Sequence, residues 1–299
     1  ALVLGDYEAV MPLTWRQKYG IRYLYQPPFT QQTGIFAPFP LSTGLIDAFL
    51  QNARQHFRFA EIFLNYGNAQ SALAPHANYI LRLDAPYTQI AAQYRKDLQR
   101  NLKLAARSPL HYSTDLDLAT ALEGYRREYA ARTPHLRPAD YDNFERLCLH
   151  LQTRGQIILR AVKGPTSEPD EGRVIPSTTG PGEARAIGPR EAHTTVPGKF
   201  LATALLLRDE HRLYLIESTT PPAGRKTEAN HFLLDQLIRE FAGNDLTLDF
   251  EGSDLPGIAH FYKNFGAIDQ PYYFYRHNRL PWFVNLFKSL TNTWKKTLT

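Results

Sequence analysis

The sequence predicts an α/β (α+β) protein in which helices flank mixed β-sheets. Segments whose apolar residues alternate with period two, as is typical of strands, are interspersed with segments of helical period. In the second half these segments follow the order helix–helix–strand–strand–strand–helix–strand–helix–strand, and the first half repeats the later part of it as hairpin, helix, strand, strand. No repeated sequence accompanies this order, so the internal duplication that we predict rests on element order alone.

The first half, residues 1–86, is predicted to form one domain. The chain starts Ala1-Leu-Val-Leu and enters a strand-like hairpin almost at once, so we expect this domain to be truncated at its start. Thr43 is a suitable cap for the helix that follows. The predicted elements are strands at 7–13 and 19–25, a helix at 43–57, and strands at 60–64 and 79–83.

A basic helix is predicted to connect the two halves, from residue 87 to residue 110. Its cationic side chains recur at helical spacing opposite an apolar stripe: Lys96, Arg100, Lys103 and Arg107. Such a stripe could hold the phosphates of a tRNA or of a nucleotide-linked acceptor. It could equally be a solvated helix face, and the sequence leaves both interpretations open.

Residues 111–278 are predicted to form a second domain. Residues 163–198 interrupt it with Pro, Gly, Ser, Thr and Glu and almost no bulky apolar residue, so we expect a flexible insertion there. The predicted elements are helices at 116–132 and 138–153, strands at 156–162, 199–208 and 212–218, a helix at 227–241, and strands at 246–250 and 271–277. The amphipathic tail, residues 279–299, could lie on an acidic membrane surface or pack against the first domain.

The most informative segment is 248–267. Asp249 and Glu251 alternate with apolar residues, so both carboxylates leave one strand on the same face. Gly252 permits a sharp turn, and Ser253 or Asp254 can cap the short helix that follows. Acidic side chains and a helix start at the carboxyl end of a strand are a common place for chemistry in α/β proteins.

Four segments in this order resemble the GNAT N-acyltransferase fold, and more narrowly the FemAB-like group, which joins two such domains in tandem. The segments are 94–106, 224–234, 248–253 and 261–266. The resemblance implies mixed central sheets flanked by helices, with segments 200–207 and 246–250 as a pair of splayed strands. It also implies direct transfer of an acyl or aminoacyl group to an amine, often in cell-wall or related assembly.

The resemblance further implies acyl-CoA or aminoacyl-tRNA as donor substrate, a small-molecule or peptide amine as acceptor, no tightly bound cofactor, no metal and no covalent enzyme intermediate. One departure bears on the donor. Segment 225–230 lacks the inner glycines of the turn that holds the pyrophosphate of coenzyme A in such proteins. A larger donor, such as a tRNA, is therefore favoured.

Four residues are candidates for the chemistry. An amine must lose a proton before it attacks, so Asp249 or Glu251 is a suitable base; alternatively, both acids bind backbone amides of their own turn. Tyr262 and Lys263 could stabilise negative charge on the carbonyl oxygen, or be a core tyrosine beside a surface lysine.

Further residues are candidates for binding substrate. Tyr25 and Gln26 stand at a strand end in the first domain, and Arg225 and Lys226 stand at a helix start that would attract an anion. Each of these residues could instead have an ordinary structural role, as a core aromatic residue, a loop residue or a solvated charge. The complete set of predicted binding residues is Tyr25, Gln26, Lys96, Arg100, Lys103, Arg225, Lys226 and Ser253.

Bulk properties exclude several classes of protein. The single cysteine, Cys148, cannot form an internal disulfide and lies in a predicted helix, which indicates a core thiol. No metal-ligand spacing and no apolar run long enough for a membrane span occur, and we expect no signal peptide and a cytoplasmic location. The net charge of +5 is mildly basic. A non-catalytic scaffold that binds an anionic partner, such as a nucleic acid, a nucleotide-linked precursor or a cell-envelope precursor, is the alternative function.

Overall fold

The computed structural model describes residues 1–134, 136–164, 200–252 and 254–282, and within them the chain forms two mixed β-sheets flanked by helices. This confirms the predicted fold class. Nearly all of the predicted insertion and the tail beyond residue 282 lie outside the described residues.

The first sheet belongs mainly to the N-terminal half. Its strands lie in the order Trp15–Lys18 (β3), Ile21–Tyr25 (β4), Phe59–Leu64 (β5), Tyr272–Asn278 (β14) and Ala74–His76 (β6). The helix Thr43–His56 (α1) covers one face of this sheet. Ser42 rather than Thr43 caps α1, since its side chain accepts from the Leu45 amide at 3.2 Å. The elements up to β6 are β1 Leu2–Leu4, β2 Ala9–Met11, β3 Trp15–Lys18, β4 Ile21–Tyr25, α1 Thr43–His56, β5 Phe59–Leu64 and β6 Ala74–His76.

The second sheet has the strand order β13–β7–β12–β11–β10–β9–β8. Its elements are β7 Tyr79–Arg82, α2 Tyr87–Ala92, α3 Lys96–Ala105, β8 His111–Ser113, α4 Leu118–Tyr129, α5 Pro138–Gln152, β9 Ile157–Lys163, β10 Phe200–Arg208, β11 Arg212–Thr219, α6 Pro222–Lys226, α7 Ala229–Phe241, β12 Thr247–Asp249, α8 Pro256–Lys263 and β13 Ile268–Asp269; β14 Tyr272–Asn278 returns to the first sheet. An apolar cluster with α3 and α7 covers one face, and a second cluster with α4 and α5 covers the other.

The two sheets share a topological unit. In each, an antiparallel hairpin leads through a helix to a strand that pairs in parallel with the second hairpin strand: β3–β4–α1–β5 and β10–β11–α7–β12. The duplication predicted from element order is therefore present in the fold. The first hairpin was predicted wrongly, however, because β4 pairs with the short polar strand Trp15–Lys18 and not with residues 7–13.

The halves exchange strands. Strand β7, from segment 1–86, pairs with β12 and β13, whereas β14, from segment 111–278, pairs with β5 and β6. The two sheets are thus composed from both halves of the chain, and a division into independent domains at residues 86 and 111 stays a prediction.

The predicted continuous helix over 87–110 is wrong, because the chain breaks between α2 and α3. Arg95 has an extended backbone, and its amide donates to the carbonyl oxygen of Asn264 at 3.0 Å. The buried ring of Tyr94 packs edge-on against Phe265 at 5.7 Å between centroids. The Arg95 contact replaces a helical hydrogen bond that is lost at the break, and the ring packing of Tyr94 holds the chain there.

Candidate active site

The parallel strands β11 and β12 separate at the centre of the second sheet. They pair only from Arg212 with Thr247 to Tyr214 with Asp249, after which β12 ends while β11 continues to Thr219. The prediction that segments 200–207 and 246–250 form the splayed pair is wrong, since β11 lies between β10 and β12. The two strands therefore diverge beyond Asp249, where β11 continues without β12.

Asp249 holds the turn that closes β12. Its carboxylate is fully buried and accepts from Arg212 at 2.6 Å, from the Asn78 side chain at 3.0 Å and from the Glu251 amide at 2.9 Å. Asn78 in turn accepts from the amide of Gly252 at 2.6 Å. These contacts favour the structural alternative for Asp249, because its oxygens are occupied by donors.

Gly252 allows this turn to lie against β7. A Cβ atom at this position would stand 2.9 Å from the Cα of Asn78 and 2.7 Å from the Tyr79 ring. The sequence-based interpretation of Gly252 as the turn residue is correct, although close approach of the backbone is the reason for it. Asp254 does not cap α8 as predicted. It accepts instead from the amide of Ala77 at 2.8 Å.

Glu251 differs from Asp249 in its backbone conformation and in the hydrogen bonding of its carboxylate. Its backbone is left-handed, with φ of 51°, a strained conformation for a residue with a side chain. Among the described residues its carboxylate has no hydrogen-bond or ion-pair partner. Burial, and then the charge of Asp249, raise the pKa of Glu251 to about 8, against an opposing effect of Arg212.

Glu251 lines a cleft of about 640 Å³ between the two sheets. The loop after β4 forms one wall, and its Gln31 side chain donates to the carbonyl of Gly252 at 2.7 Å. Strands β10 and β11 and helix α5 form the other wall. Its apolar side chains include Phe29, Ile35, Phe36, Leu147, Leu207 and Ile216.

A second unpaired acid, Glu217, was missed by the sequence analysis. It is 4% exposed, neither of its oxygens has a hydrogen-bond partner in the part of the chain that the structure describes, and burial raises its pKa to about 8. A β-bulge at Ile216 shifts the register so that Glu217 faces helices α4 and α5 rather than α7. Burial and then the nearby Glu217 raise the pKa of Tyr125 on α4, in agreement with this placement.

Tyr262 lies beside the turn, but Lys263 is occupied elsewhere. The Tyr262 ring stacks on Phe250 at 4.6 Å, and burial raises the pKa of its hydroxyl, with smaller contributions from Tyr129 and Glu251. The Lys263 ammonium pairs with Asp269 at 3.1 Å. The Tyr262 hydroxyl therefore lies near Glu251, while the charge of Lys263 is compensated by Asp269.

The predicted binding residues do not converge on the cleft. The Gln26 side chain braces its own loop by donating to the Thr30 carbonyl and accepting from the Phe63 amide, and Tyr25 lies under the Arg16 guanidinium at 4.2 Å. Arg225 donates to the carbonyl of Thr220 at 2.5 Å. Exposed side chains without a place in the cleft are Lys96, Arg100, Lys103 and Lys226; Ser253 lies outside the described residues.

The described ranges form neither a membrane-spanning helix nor a metal-binding cluster. No helix in these ranges is long and apolar enough to cross a membrane. Nor do three or more His, Cys, Asp or Glu side chains of these ranges gather in a way that could hold a metal ion.

Comparison with known proteins gives matches by structure only. No family model matches the sequence, and no curated protein is similar to it. FemX is similar with a TM-score of 0.56 and 13% identity, over 91% of this chain and 86% of FemX. The C-terminal domain of a putative lysylphosphatidylglycerol synthetase from Agrobacterium fabrum is similar with a TM-score of 0.51 and 13% identity, over 93% of this chain and 83% of that domain. The resemblance to the FemAB-like group is thereby confirmed at the level of the fold: this chain has the architecture of a FemAB-like protein of the GNAT acyltransferase fold.

Proposed function

We propose that this protein is an N-acyltransferase or aminoacyltransferase in which Glu251 is the general base. The proposal is carried by one observation: Glu251 is a partly buried carboxyl group that has no partner among the described residues and a raised pKa, and it is fixed in a strained turn where β11 and β12 separate. Carboxyl groups with these properties are concentrated at catalytic sites. The fold shared with FemX and with a lysylphosphatidylglycerol synthetase domain supports the same class of reaction.

In the proposed reaction the amine of the acceptor occupies the cleft beside Glu251. Its nitrogen attacks the donor carbonyl and forms the C–N bond, the carboxylate of Glu251 takes the proton that the nitrogen loses, and the bond from carbonyl carbon to leaving group breaks. Tyr262 donates a hydrogen bond to the oxygen that becomes negative in the transition state. Asp249 positions Glu251 through the amide contact at 2.9 Å and takes no proton.

The donor that we propose is an aminoacyl or acyl ester, such as aminoacyl-tRNA, rather than acyl-CoA. In segment 225–230 the end of helix α6 is followed by a left-handed Glu228, and no glycine leaves the backbone amides bare for a pyrophosphate. The exposed cations of α3, including Lys96, Arg100 and Lys103, would then face the phosphates of the donor.

The test measures transfer of a radiolabelled aminoacyl group from a mixture of charged tRNAs to a panel of primary amines. We expect transfer by the wild-type chain and a loss of about 10²- to 10⁴-fold in Glu251→Gln, the usual range for removal of a general base. Glu123→Gln, on the exposed face of α4, is the matched control and should be unchanged. Binding of the same tRNAs without any transfer would favour the scaffold function instead.

A further inference from the structure

A histidine–aspartate pair adjoins the turn that carries Glu251. The Nδ1 atom of His76 lies 2.5 Å from one carboxylate oxygen of Asp254, and the other oxygen accepts from the Ala77 amide at 2.8 Å. Both carboxylate oxygens are thereby occupied, which fixes the orientation of the carboxylate and directs the Nδ1 proton of the imidazole toward it. The opposite nitrogen, Nε2, has no hydrogen-bond partner among the described residues, and the side chain is 29% exposed.

The backbone brings this pair close to the proposed base. Segments 76–79 and 250–252 lie side by side, because the Phe250 amide donates to the Tyr79 carbonyl at 3.0 Å and the Gly252 amide donates to the Asn78 side chain at 2.6 Å. Asp254 follows Glu251 by three positions, so their Cα atoms lie at most about 11 Å apart. The His76–Asp254 pair therefore adjoins the same turn from which Glu251 projects.

Aromatic rings hold the imidazole in place. Its centroid lies 5.1 Å from that of Phe63, 5.6 Å from Tyr272 and 6.1 Å from Phe274. Burial, then the charges of Asp254 and Glu251, raise the pKa of Tyr272 to about 12, which places this ring near both carboxylates. The Ala77 amide, followed by His76, lowers the pKa of Asp254, so the aspartate is ionised at neutral pH and can stabilise an imidazolium.

We infer that His76 is the general acid of the transfer reaction and protonates the leaving oxygen of an ester donor, with Asp254 as its positioning residue. As the tetrahedral intermediate collapses, the C–O bond breaks, its electron pair stays on oxygen, and Nε2 of the imidazolium supplies the proton. Glu251 holds the proton lost by the amine, and exchange with solvent restores both groups. An alkoxide is a poor leaving group without such a proton, whereas a thiolate leaves without one.

This inference rests on the proposed function, and the test uses two donors with the same aminoacyl group. One is an alkyl ester and the other a p-nitrophenyl ester, whose leaving group departs without a proton; a primary amine is the acceptor. We expect His76→Gln to reduce transfer from the alkyl ester by about 10²- to 10⁴-fold and to leave transfer from the p-nitrophenyl ester almost unchanged. Asp254→Asn should show the same dependence on the leaving group with a smaller loss.

His260→Gln is the matched control. His260 pairs with Asp97 at 3.4 Å and is 58% exposed. This variant therefore also removes a histidine–aspartate contact, but one away from the turn that carries Glu251, and it should leave both rates unchanged. An equal loss of both rates in His76→Gln, or no loss of either, would overturn the inference.

The Glu251→Gln variant distinguishes a failure of the His76 assignment from a failure of the proposed function. If it loses transfer from both donors while His76→Gln shows no preference between them, only the assignment of His76 fails. If the wild-type chain transfers from neither ester, or Glu251→Gln is fully active, the proposed function fails and the assignment of His76 with it.

Discussion

Arg212 donates to the buried carboxylate of Asp249 at 2.6 Å, and this ion pair distinguishes two acids that are only two residues apart on the chain. Asp249 is neutralised and bonded on both oxygens, whereas Glu251 has a carboxylate without a partner among the described residues. The Arg212 guanidinium also lies 4.5 Å from the ring of Tyr66 and donates to the side chain of Gln270. The pair therefore joins β11, β12 and the loop after β5, and it fixes the turn from which Glu251 projects.

The first prediction concerns this ion pair. Asp249→Asn leaves the guanidinium of Arg212, which is 10% exposed, without a counter-charge, and should lower the free energy of unfolding by about 3–5 kcal/mol. Urea unfolding measures this change in the free energy of unfolding. Asp245→Asn is the control, because Asp245 pairs with Arg82 at 2.8 Å on the surface and its loss should cost less than about 1 kcal/mol. Equal stability of the two variants would show that the buried pair does not hold the turn.

The second prediction concerns the glycine of the turn. In Gly252→Ala the new methyl group would stand 2.9 Å from the backbone of Asn78, so the turn must move away from β7 and Glu251 must move with it. Transfer activity should fall by at least tenfold, while thermal unfolding still shows a folded protein. Gly257→Ala is the control, since nothing lies within 4 Å of that position and alanine favours helix α8. Full activity of Gly252→Ala would show that transfer does not depend on the position of this turn.

The third prediction concerns Glu217. Its pKa is raised from 4.5 in the unfolded chain to about 8 in the folded protein, so the folded state favours the protonated acid. The resulting stability is fully present below pH 4.5 and is lost as the pH rises through about 8. Since one pKa unit corresponds to about 1.4 kcal/mol, several kcal/mol of unfolding free energy depend on this group.

Glu217→Gln removes that dependence, because the amide has no proton to lose. The variant should be more stable than the wild-type chain at pH 9, and the two should converge near pH 5, as measured by urea unfolding at each pH. Glu240→Gln is the matched control. Glu240 is ion-paired with Arg160 and its pKa is lowered, so this change should not stabilise the protein at high pH. A Glu217→Gln variant that is less stable than wild type at pH 9 would contradict the placement of Glu217 as an unpaired buried acid.

Local sequence predicted the features that depend on neighbouring residues. The strand, turn and helix of segment 248–267, the need for Gly252 and the hairpin–helix–strand order all follow from periodicity and turn chemistry. Contacts distant in sequence were not predictable in the same way. The partner that separates Asp249 from Glu251 is Arg212, 37 residues earlier, and the break before α3 is stabilised by the carbonyl of Asn264.

Glu217 and His76 show two further reasons for failure. In an alternating strand Glu217 would share a face with Leu213 and Leu215, and only the bulge at Ile216 turns it to the other side. His76 meets Asp254 across 178 residues, so no local spacing connects the two side chains. Residues of these kinds can be recognised only once the register and the strand exchange are known.

The role of Glu251 as general base is tested most directly by the pH dependence of kcat/KM for transfer to hydroxylamine, an acceptor that is already unprotonated above neutral pH. Glu251 is protonated below its pKa of about 8 and inactive as a base, so the wild-type rate should rise with pH and level off above about pH 8. Glu251→Gln should lose about 10²- to 10⁴-fold at the plateau and the rise with it. A Glu251→Gln variant with the wild-type rate and the wild-type pH profile would contradict the assignment.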